Sequence, residues 1–256
     1  MDKSGKKRIL LKIGSNTLTK ETNHISRGKI EDIGMQIAAL KDDYEFVIVS
    51  SGAIAAAKQF VKLEAPDNEI FVKQALASIG QPHLMRIFHE NFSDLGLNTS
   101  QCLLSYSDFE KKQTKLNIVN TINVLVNNSY IPIINENDTV ATDEIQFGDN
   151  DKLAALTAVL LNVDILIIAT NTNGIYTKAS IHNESPETIS LVTDLNSLQN
   201  EIGESKSSHG TGGMQSKIDS AAIAKEANIE TWIINGLEDN FILKALKNEI
   251  AFTKIV

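Results

Sequence analysis

The chain has 256 residues, and its hydrophobic fraction of 42% is ordinary for a globular protein. Its net charge of −8 argues against a broad nucleic-acid-binding surface, because such a surface needs a basic face. No apolar run approaches the ~20 residues of a membrane span, and Ile9–Leu11, behind the basic amino terminus, is too short for a signal peptide. The single cysteine, Cys102, excludes an internal disulfide, so we expect a cytoplasmic protein that interacts with neither nucleic acid nor membrane.

Strands and helices alternate from the start of the chain. The apolar run Arg8–Ile13 predicts a strand, and apolar residues at helical spacing predict a helix over Ser26–Leu40. Glu45–Val49 is the next predicted strand, and a Ser-Ser-Gly turn leads from it into an alanine-rich helix over Ala53–Leu63. This rhythm is typical of β-α units.

The same rhythm continues through the middle of the chain. A long helix is predicted over Asn68–Leu95, broken near Gly80-Gln81-Pro82 because proline cannot donate a hydrogen bond within a helix. The remaining predicted strands are Thr99–Leu104, Ile131–Asn135, Asp164–Thr170 and Glu230–Ile234, and the remaining predicted helices are Lys115–Asn127, Asn150–Leu161 and Gly213–Ala227.

The predicted strands are apolar without alternation, which is typical of a mostly parallel sheet covered on both faces. The fold class that follows is α/β: a three-layer α/β/α sandwich around a mostly parallel central sheet. The length permits one large domain or two small ones, and we expect a single domain over residues 1–256. Two segments interrupt the rhythm, namely a small hairpin predicted over Asp138–Phe147 and the irregular stretch Thr177–His209, and such segments often carry binding groups.

Polar clusters follow four of the apolar runs. In open parallel sheets ligands bind beyond the carboxyl ends of the strands, so these clusters predict the site. Glycine turns that lead into helices expose backbone N–H groups, which suit phosphate or carboxylate. The clusters are Lys12-Ile13-Gly14-Ser15-Asn16, Ser50-Ser51-Gly52-Ala53, Asn135-Glu136-Asn137-Asp138 and Gly210-Thr211-Gly212-Gly213-Met214-Gln215-Ser216-Lys217.

Each cluster also has a structural interpretation. The last one lacks the Walker A spacing and could be a surface loop, while its glycines and Lys217 would equally fit a polyphosphate. Lys12 could extend from a strand end to solvent, although its apolar neighbours favour a buried position. Ser51 and Gly52 could form a tight turn with a helix cap. Asn150 and Asp151 could also be helix caps, or Asp151 could hold two lysines in position.

In combination these motifs resemble the successive motifs of the glutamate 5-kinases, within the amino acid kinase family. The order and spacing hold from Arg8 to about Gly236. The motifs that carry the resemblance are Lys12-Ile13-Gly14-Ser15, Ile48-Val49-Ser50-Ser51-Gly52-Ala53-Ile54, Ile134-Asn135-Glu136-Asn137-Asp138, Gly148-Asp149-Asn150-Asp151 and Gly210-Thr211-Gly212-Gly213-Met214 with Lys217.

The resemblance implies phosphoryl transfer from ATP, with Mg²⁺, to the side-chain carboxylate of L-glutamate, the first step of proline biosynthesis. It implies that Lys12 and Lys217 neutralise the transferring phosphoryl group and that Asp151 orients both lysines. The residues implied to bind glutamate are Ser51, Asp138 and Asn150; those implied to bind the nucleotide are Lys12, Thr170, Asn171, Thr211, Gly212, Gly213, Met214, Gln215, Ser216 and Lys217.

The resemblance also implies a homo-oligomer and feedback inhibition by proline. The chain departs from the family pattern at Asn171, where many members have Asp, and it ends without room for the carboxy-terminal PUA domain of many bacterial members. We expect catalysis without that domain, because all the motifs precede its boundary. The five histidines show no metal-ligand or triad spacing.

Two alternatives stay open at this point. The chain could phosphorylate a different carboxylate, carbamate or phosphate, as other members of the amino acid kinase family do. It could also be a non-catalytic sensor of nucleotide or amino acid, although a sensor has no need of Lys12, Asp151 and Lys217 together.

Overall fold

The computed structural model describes residues 5–20, 22, 24–66, 68–140, 150–200 and 213–256. Within these ranges eight strands form one sheet in the order β3-β4-β2-β1-β5-β7-β8-β6. Neighbouring strands are parallel except for β7 and β8, which are antiparallel. The prediction of a mostly parallel sheet is therefore confirmed. The strands are β1 Lys7–Ile13, β2 Tyr44–Ser50, β3 Asn98–Leu104, β4 Tyr130–Glu136, β5 Ile165–Thr170, β6 Leu191–Val192, β7 Glu230–Asn235 and β8 Thr253–Ile255.

Helices cover the sheet, and most of them fall where the sequence predicts them. The described helices are α1 Ser15–Thr19, α2 Arg27–Leu40, α3 Ala53–Lys58, α4 Ile70–Ser93, α5 Lys112–Asn127, α6 Asp151–Leu161, α7 Met214–Glu226 and α8 Phe241–Leu246, with 3₁₀ turns at Tyr106–Phe109 and Leu195–Asn200. None of them is long and apolar enough to span a membrane.

Alternate residues of β1 belong to opposite layers. Ile9 and Leu11 pack into an apolar cluster with residues of α2 and α4, whereas Leu10 packs into a second cluster with residues of α5 and α6. This alternation follows from the two-residue period of a strand. Both faces of the sheet are thus covered, and the predicted three-layer sandwich is confirmed.

Two helix predictions are wrong in part. Helix α4 runs without a break from Ile70 to Ser93 and contains Pro82, where we predicted an interruption. The residue before the proline, Gln81, is buried, and Gly80 packs directly against the start of α3. The packing of these two residues, which directly precede the proline, compensates for the helical hydrogen bond that proline removes. Helix α3 is also shorter than predicted and ends at Lys58.

The two irregular segments are described only in part. Asp138–Val140 forms a turn after β4, and residues 141–149 of the predicted hairpin lie outside the described ranges. In the second segment Thr188 forms an isolated bridge with Tyr176, the residue just before the segment, and the short strand β6 and a 3₁₀ turn follow. Residues 201–209 of this segment also lie outside the described ranges.

A polar cluster centred on Lys29 connects α2 to the segment before α8. The Lys29 ammonium is fully buried and lies 2.9 Å from an Asp32 carboxylate oxygen and 2.7 Å from the Glu238 carbonyl oxygen. The other Asp32 oxygen accepts a hydrogen bond from the Asn240 backbone at 3.0 Å. This cluster therefore fixes the chain that follows β7. The carboxyl ends of β7 and of the parallel strands β5, β1, β2 and β4 lie along one edge of the sheet, which is called the site edge below.

Candidate active site

Strand β1 occupies the middle of the site edge. Its neighbours are β2 on one side and β5 on the other, with β4 beyond β2 and β7 beyond β5. The strand that follows β1 along the chain, β2, lies on one side of it, and β5 is added later on its other side. Such a reversal of strand order is a topological switch point, and open α/β sheets bind ligands at these points. Lys12 lies near the carboxyl end of β1, paired with Val49 and Ile168, and is only 3% exposed.

The structure brings Lys12, Asp151 and Lys217 into one buried cluster. The Lys12 ammonium lies 2.5 Å from Oδ1 of Asp151, and the Lys217 ammonium lies 2.9 Å from Oδ2. Burial alone would raise the pKa of Asp151, but the two ammonium charges outweigh it and lower that pKa below its ordinary value. Asp151 is thus an ionised carboxylate that holds two lysines.

Three elements carry this cluster to one place. Lys12 comes from β1, Asp151 is the first residue of α6, where a negative charge favours the helix terminus, and Lys217 lies one turn into α7. Gly14 lies beside the Lys12 ammonium, because a Cβ built at Gly14 would be 3.3 Å from it. A side chain larger than that of glycine would therefore press on this ammonium.

Asn150 is fixed by side-chain bonds rather than by capping α6. Its amide nitrogen donates to the Ser50 carbonyl at 2.7 Å and to Oδ1 of Asn135 at 2.8 Å, and its side chain makes no cap bond to the helix. The bond to Ser50 connects the start of α6 with the end of β2 and places Asn150 near Ser51. Asn150 thus occupies the N-cap position of α6, but its side chain does not cap the helix.

Ser51 lies in a turn that only glycine can complete without strain. Gly52 has a φ of 100°, and the Ser51 backbone donates to the Ile13 carbonyl at 3.2 Å, which ties the turn to the end of β1. Ser51 Oγ and Asn150 Oδ1 are both buried, and neither makes a hydrogen bond within the described ranges. Buried polar atoms normally have a partner, so these two point to a polar ligand.

Asp138 follows β4 on the same side of β1 as Ser51. It is 9% exposed, and burial raises the pKa of its carboxyl to about 6. A carboxylate in such surroundings gains from the approach of a cation.

Thr170 and Asn171 lie on the other side of β1, at the carboxyl end of β5. Thr170 ends β5 and is nearly buried, and its carbonyl accepts a hydrogen bond from Gly236 at 2.7 Å, which joins the ends of β5 and β7. At the end of β7, the Asn235 amide donates a hydrogen bond to Oδ1 of Asn173, which follows β5, at 2.9 Å. The structure thus places Thr170 and Asn171 across β1 from Ser51, Asp138 and Asn150.

The glycine-rich loop is described from Gly213 onward. Gly213 is the N-cap of α7, Met214 packs against the apolar cluster between α7 and β7, and the Gln215 amide donates to Asp219 at 2.7 Å. Ser216 and Lys217 continue the first turns of the helix. The predicted nucleotide residues Thr211 and Gly212, like Gly148 and Asp149 of the second acidic motif, lie outside the described ranges.

Comparison with known proteins gives the family. The model of the amino acid kinase family matches residues 7–235. The chain is 40% identical over 250 residues to a glutamate 5-kinase of Alkaliphilus oremlandii, covering 96% of this chain and 95% of that protein. The chain belongs to the amino acid kinase family. It is also 36% identical to glutamate 5-kinase 2 of Pseudoalteromonas translucida, of which it covers 68%.

Solved structures agree with this fold. A carbamate kinase of Giardia lamblia, bound to AMP-PNP, superposes with a TM-score of 0.68 over 99% of both chains, at 14% identity. A UMP kinase of Ureaplasma parvum superposes with a TM-score of 0.65 over 98% of both chains, at 17% identity. The predicted amino acid kinase fold is therefore confirmed.

Two residues near the site were missed by sequence reasoning. Gly80 and Gln81 were interpreted as part of a helix break, yet Gln81 Oε1 accepts a hydrogen bond from the Asn135 amide at 2.8 Å. A buried glutamine inside a helix requires polar partners, but the sequence alone does not show that Gln81 is buried. Histidine, cysteine, aspartate and glutamate side chains form no cluster of three or more that could hold a metal ion in the described part of the chain.

Proposed function

We propose that this chain is a glutamate 5-kinase, which transfers the γ-phosphoryl group of ATP to the side-chain carboxylate of L-glutamate. The observation that carries the proposal is the buried Lys12–Asp151–Lys217 cluster, which β1, α6 and α7 bring together near the carboxyl end of β1. The similarity to glutamate 5-kinases over nearly the whole chain supports the choice of substrate. The assigned roles of the individual residues are part of this proposal.

The chemistry needs charge and alignment rather than a general base. The side-chain carboxylate of glutamate has an ordinary pKa of about 4.3, so the nucleophile is already ionised at neutral pH. Two ammonium groups and one carboxylate leave the cluster with one net positive charge. Lys12 and Lys217 direct this charge at the phosphoryl oxygens, where negative charge develops during transfer, and Asp151 keeps both lysines in position.

The two substrates lie on opposite sides of β1 in this account. Ser51, Asp138 and Asn150 bind glutamate on the β2–β4 side. Thr170, Asn171 and the loop from Thr211 to Lys217 bind ATP on the β5–β7 side, including Gly212, Gly213, Met214, Gln215 and Ser216. Mg²⁺ enters on the ATP phosphates, which usually supply much of its coordination in kinases. Lys12 and Lys217 lie where the two substrates meet.

The reaction product gives a direct test. A side-chain acyl phosphate reacts with hydroxylamine to form a coloured hydroxamate, which we expect only when ATP, Mg²⁺ and glutamate are all present. Aspartate and N-acetylglutamate should give no colour above background. Equal turnover of either analogue would contradict the substrate assignment, and binding of ATP and glutamate without hydroxamate would favour a sensor.

Two further expectations come from the resemblance to the family, and two come from the composition and length of the chain. Inhibition by proline, assembly into a homo-oligomer, location in the cytoplasm and a single domain over residues 1–256 stay predictions. Proline titration in the hydroxamate assay and light scattering of the purified protein measure the first two.

The pH profile should report Asp138. Its pKa of about 6 lies above that of an exposed aspartate, so the free enzyme carries a protonated Asp138 below about pH 6. The neutral carboxyl loses most of its attraction for the glutamate ammonium. We therefore expect kcat/KM for glutamate, measured at saturating ATP and Mg²⁺, to fall about tenfold per pH unit below about pH 6.

The variant Asp138→Asn separates this carboxyl from other titrating groups. It should lower kcat/KM for glutamate at pH 8 by about 10- to 100-fold, the effect of losing one charge-assisted hydrogen bond, and abolish the acidic limb. Asp94→Asn, at the exposed carboxyl end of α4, is the matched control and should keep the wild-type profile. An acidic limb that persists in Asp138→Asn would show that another group titrates.

A further inference from the structure

A chain of amide side chains leads from the edge strand of the sheet to Asn150. Gln81 Nε2 donates to Gln101 Oε1 at 3.0 Å, Asn135 Nδ2 donates to Gln81 Oε1 at 2.8 Å, and Asn150 Nδ2 donates to Asn135 Oδ1 at 2.8 Å. These residues belong to β3, α4 and β4 and to the start of α6. Gln81, Asn135 and Asn150 are buried, with 8%, 1% and 0% of their surface exposed. A buried network of this kind specifies the orientation of each amide.

Backbone groups fix the direction of this chain at two points. The Glu136 backbone N–H, which can only donate, bonds to Asn135 Oδ1 at 2.9 Å. The Ser50 carbonyl, which can only accept, bonds to Asn150 Nδ2 at 2.7 Å. Neither amide can therefore be turned over without losing a backbone partner. Both hydrogens of Asn150 Nδ2 are in use, toward Ser50 and toward Asn135.

The remaining polar atom of Asn150 is its carbonyl oxygen. Oδ1 is buried and accepts no hydrogen bond from the residues that the structure describes. An amide oxygen held in this way can accept a hydrogen bond but cannot donate one, so it suits an ammonium group and repels a carboxylate. Asp138, on the same side of β1, has the same preference for a cation.

We propose that Gln81 is a positioning residue that, through Asn135, holds Asn150 as an acceptor for the substrate ammonium. The inference rests on the proposed function and makes it more specific. Asn150 and Asp138 both bind the ammonium of glutamate, and the backbone carboxylate is left to donors such as the Ser51 hydroxyl. Gln81 touches no substrate; without it, the Asn135 amide becomes a buried donor with no acceptor and leaves its position.

The test compares glutamate with glutarate, the same dicarboxylate without the ammonium. In Gln81→Met, kcat/KM for glutamate should fall about tenfold, which is the effect expected from one unsatisfied buried amide. The inhibition constant of glutarate, measured in competition with glutamate, should change less than twofold, because glutarate has no group for Asn150 to accept from. Gln81→Asn, whose shorter side chain no longer reaches Asn135, should give the same selective loss with a polar residue in place.

Two controls complete the design. Gln81→Glu keeps an acceptor oxygen for Asn135 and should restore most of the kcat/KM for glutamate. Leu84→Met is a buried change one turn further along α4 and should change kcat/KM for glutamate and the inhibition constant of glutarate by less than twofold. Equal losses for glutamate and glutarate in both Gln81→Met and Gln81→Asn would show a structural role only and would overturn the inference, as would unchanged glutamate activity. A wild-type protein without glutamate turnover would instead contradict the proposed function itself.

Discussion

Replacing Lys217 with methionine should lower kcat by about a hundred- to a thousandfold, the loss measured when one preorganised donor is removed from an active site. The ammonium lies 2.9 Å from Asp151, and removing it takes the net charge of the cluster from one positive charge to zero. Asp151 would still be paired with Lys12, so the fold should tolerate the change. The measurement is steady-state kcat in the hydroxamate assay, with the melting temperature of each variant recorded alongside.

A matched lysine replacement on the same helix separates a catalytic role of Lys217 from the mere loss of one positive charge. Lys225→Met removes one positive charge from the last turn of α7, where the side chain contacts the carboxyl-terminal residue Val256. This variant should keep kcat within about twofold of wild type. Near-normal kcat in Lys217→Met, or an equal fall in Lys225→Met, would remove Lys217 from the catalytic set.

The second large effect is expected at Gly80. A Cβ at this position would lie 1.8 Å from the Ala53 carbonyl oxygen and 2.8 Å from the Ala57 backbone nitrogen, so α3 and α4 cannot keep their present separation in Gly80→Ala. Overpacking against backbone costs about 3 kcal/mol, which corresponds to a fall in melting temperature of about 10 °C for a chain of this size. KM for glutamate should rise as well, because Ser51 precedes α3 and Gln81 follows Gly80.

Gly28→Ala is the control for this variant. Gly28 lies in the first turn of α2, and a Cβ there would meet nothing within 4 Å. Alanine is the better helix former by up to about 1 kcal/mol, so Gly28→Ala should be neutral or slightly stabilising. If Gly80→Ala melted at the wild-type temperature, the close packing of α3 on α4 would be wrong.

The predictions from sequence succeeded where local pattern and tertiary structure agree. The apolar run ending at Ile13 predicted a buried strand in a parallel sheet, and the apolar neighbours of Lys12 favoured a buried position for it. The carboxyl ends of such strands meet at one edge, and this geometry alone brings Lys12 near the residues that follow β2, β4 and β5.

The failures have equally physical causes. Pro82 was interpreted as a helix break because local propensity carries no information about Gly80 packing on α3, which keeps α4 continuous. Strands β6 and β8 have two and three residues, too few to show a period. The amide chain through Gln81 could not be predicted either, since it joins residues 81, 101, 135 and 150, which only the fold brings together.

The most direct test of the central claim follows one oxygen atom. Glutamate carrying oxygen-18 in both side-chain carboxylate oxygens is incubated with ATP, Mg²⁺ and hydroxylamine, and the released phosphate is analysed by mass spectrometry. If the carboxylate attacks the γ-phosphorus and hydroxylamine then attacks the acyl carbon, each phosphate released with hydroxamate must contain one oxygen-18 from glutamate. Phosphate without the label would mean that water or another group accepts the phosphoryl group, and it would contradict the account.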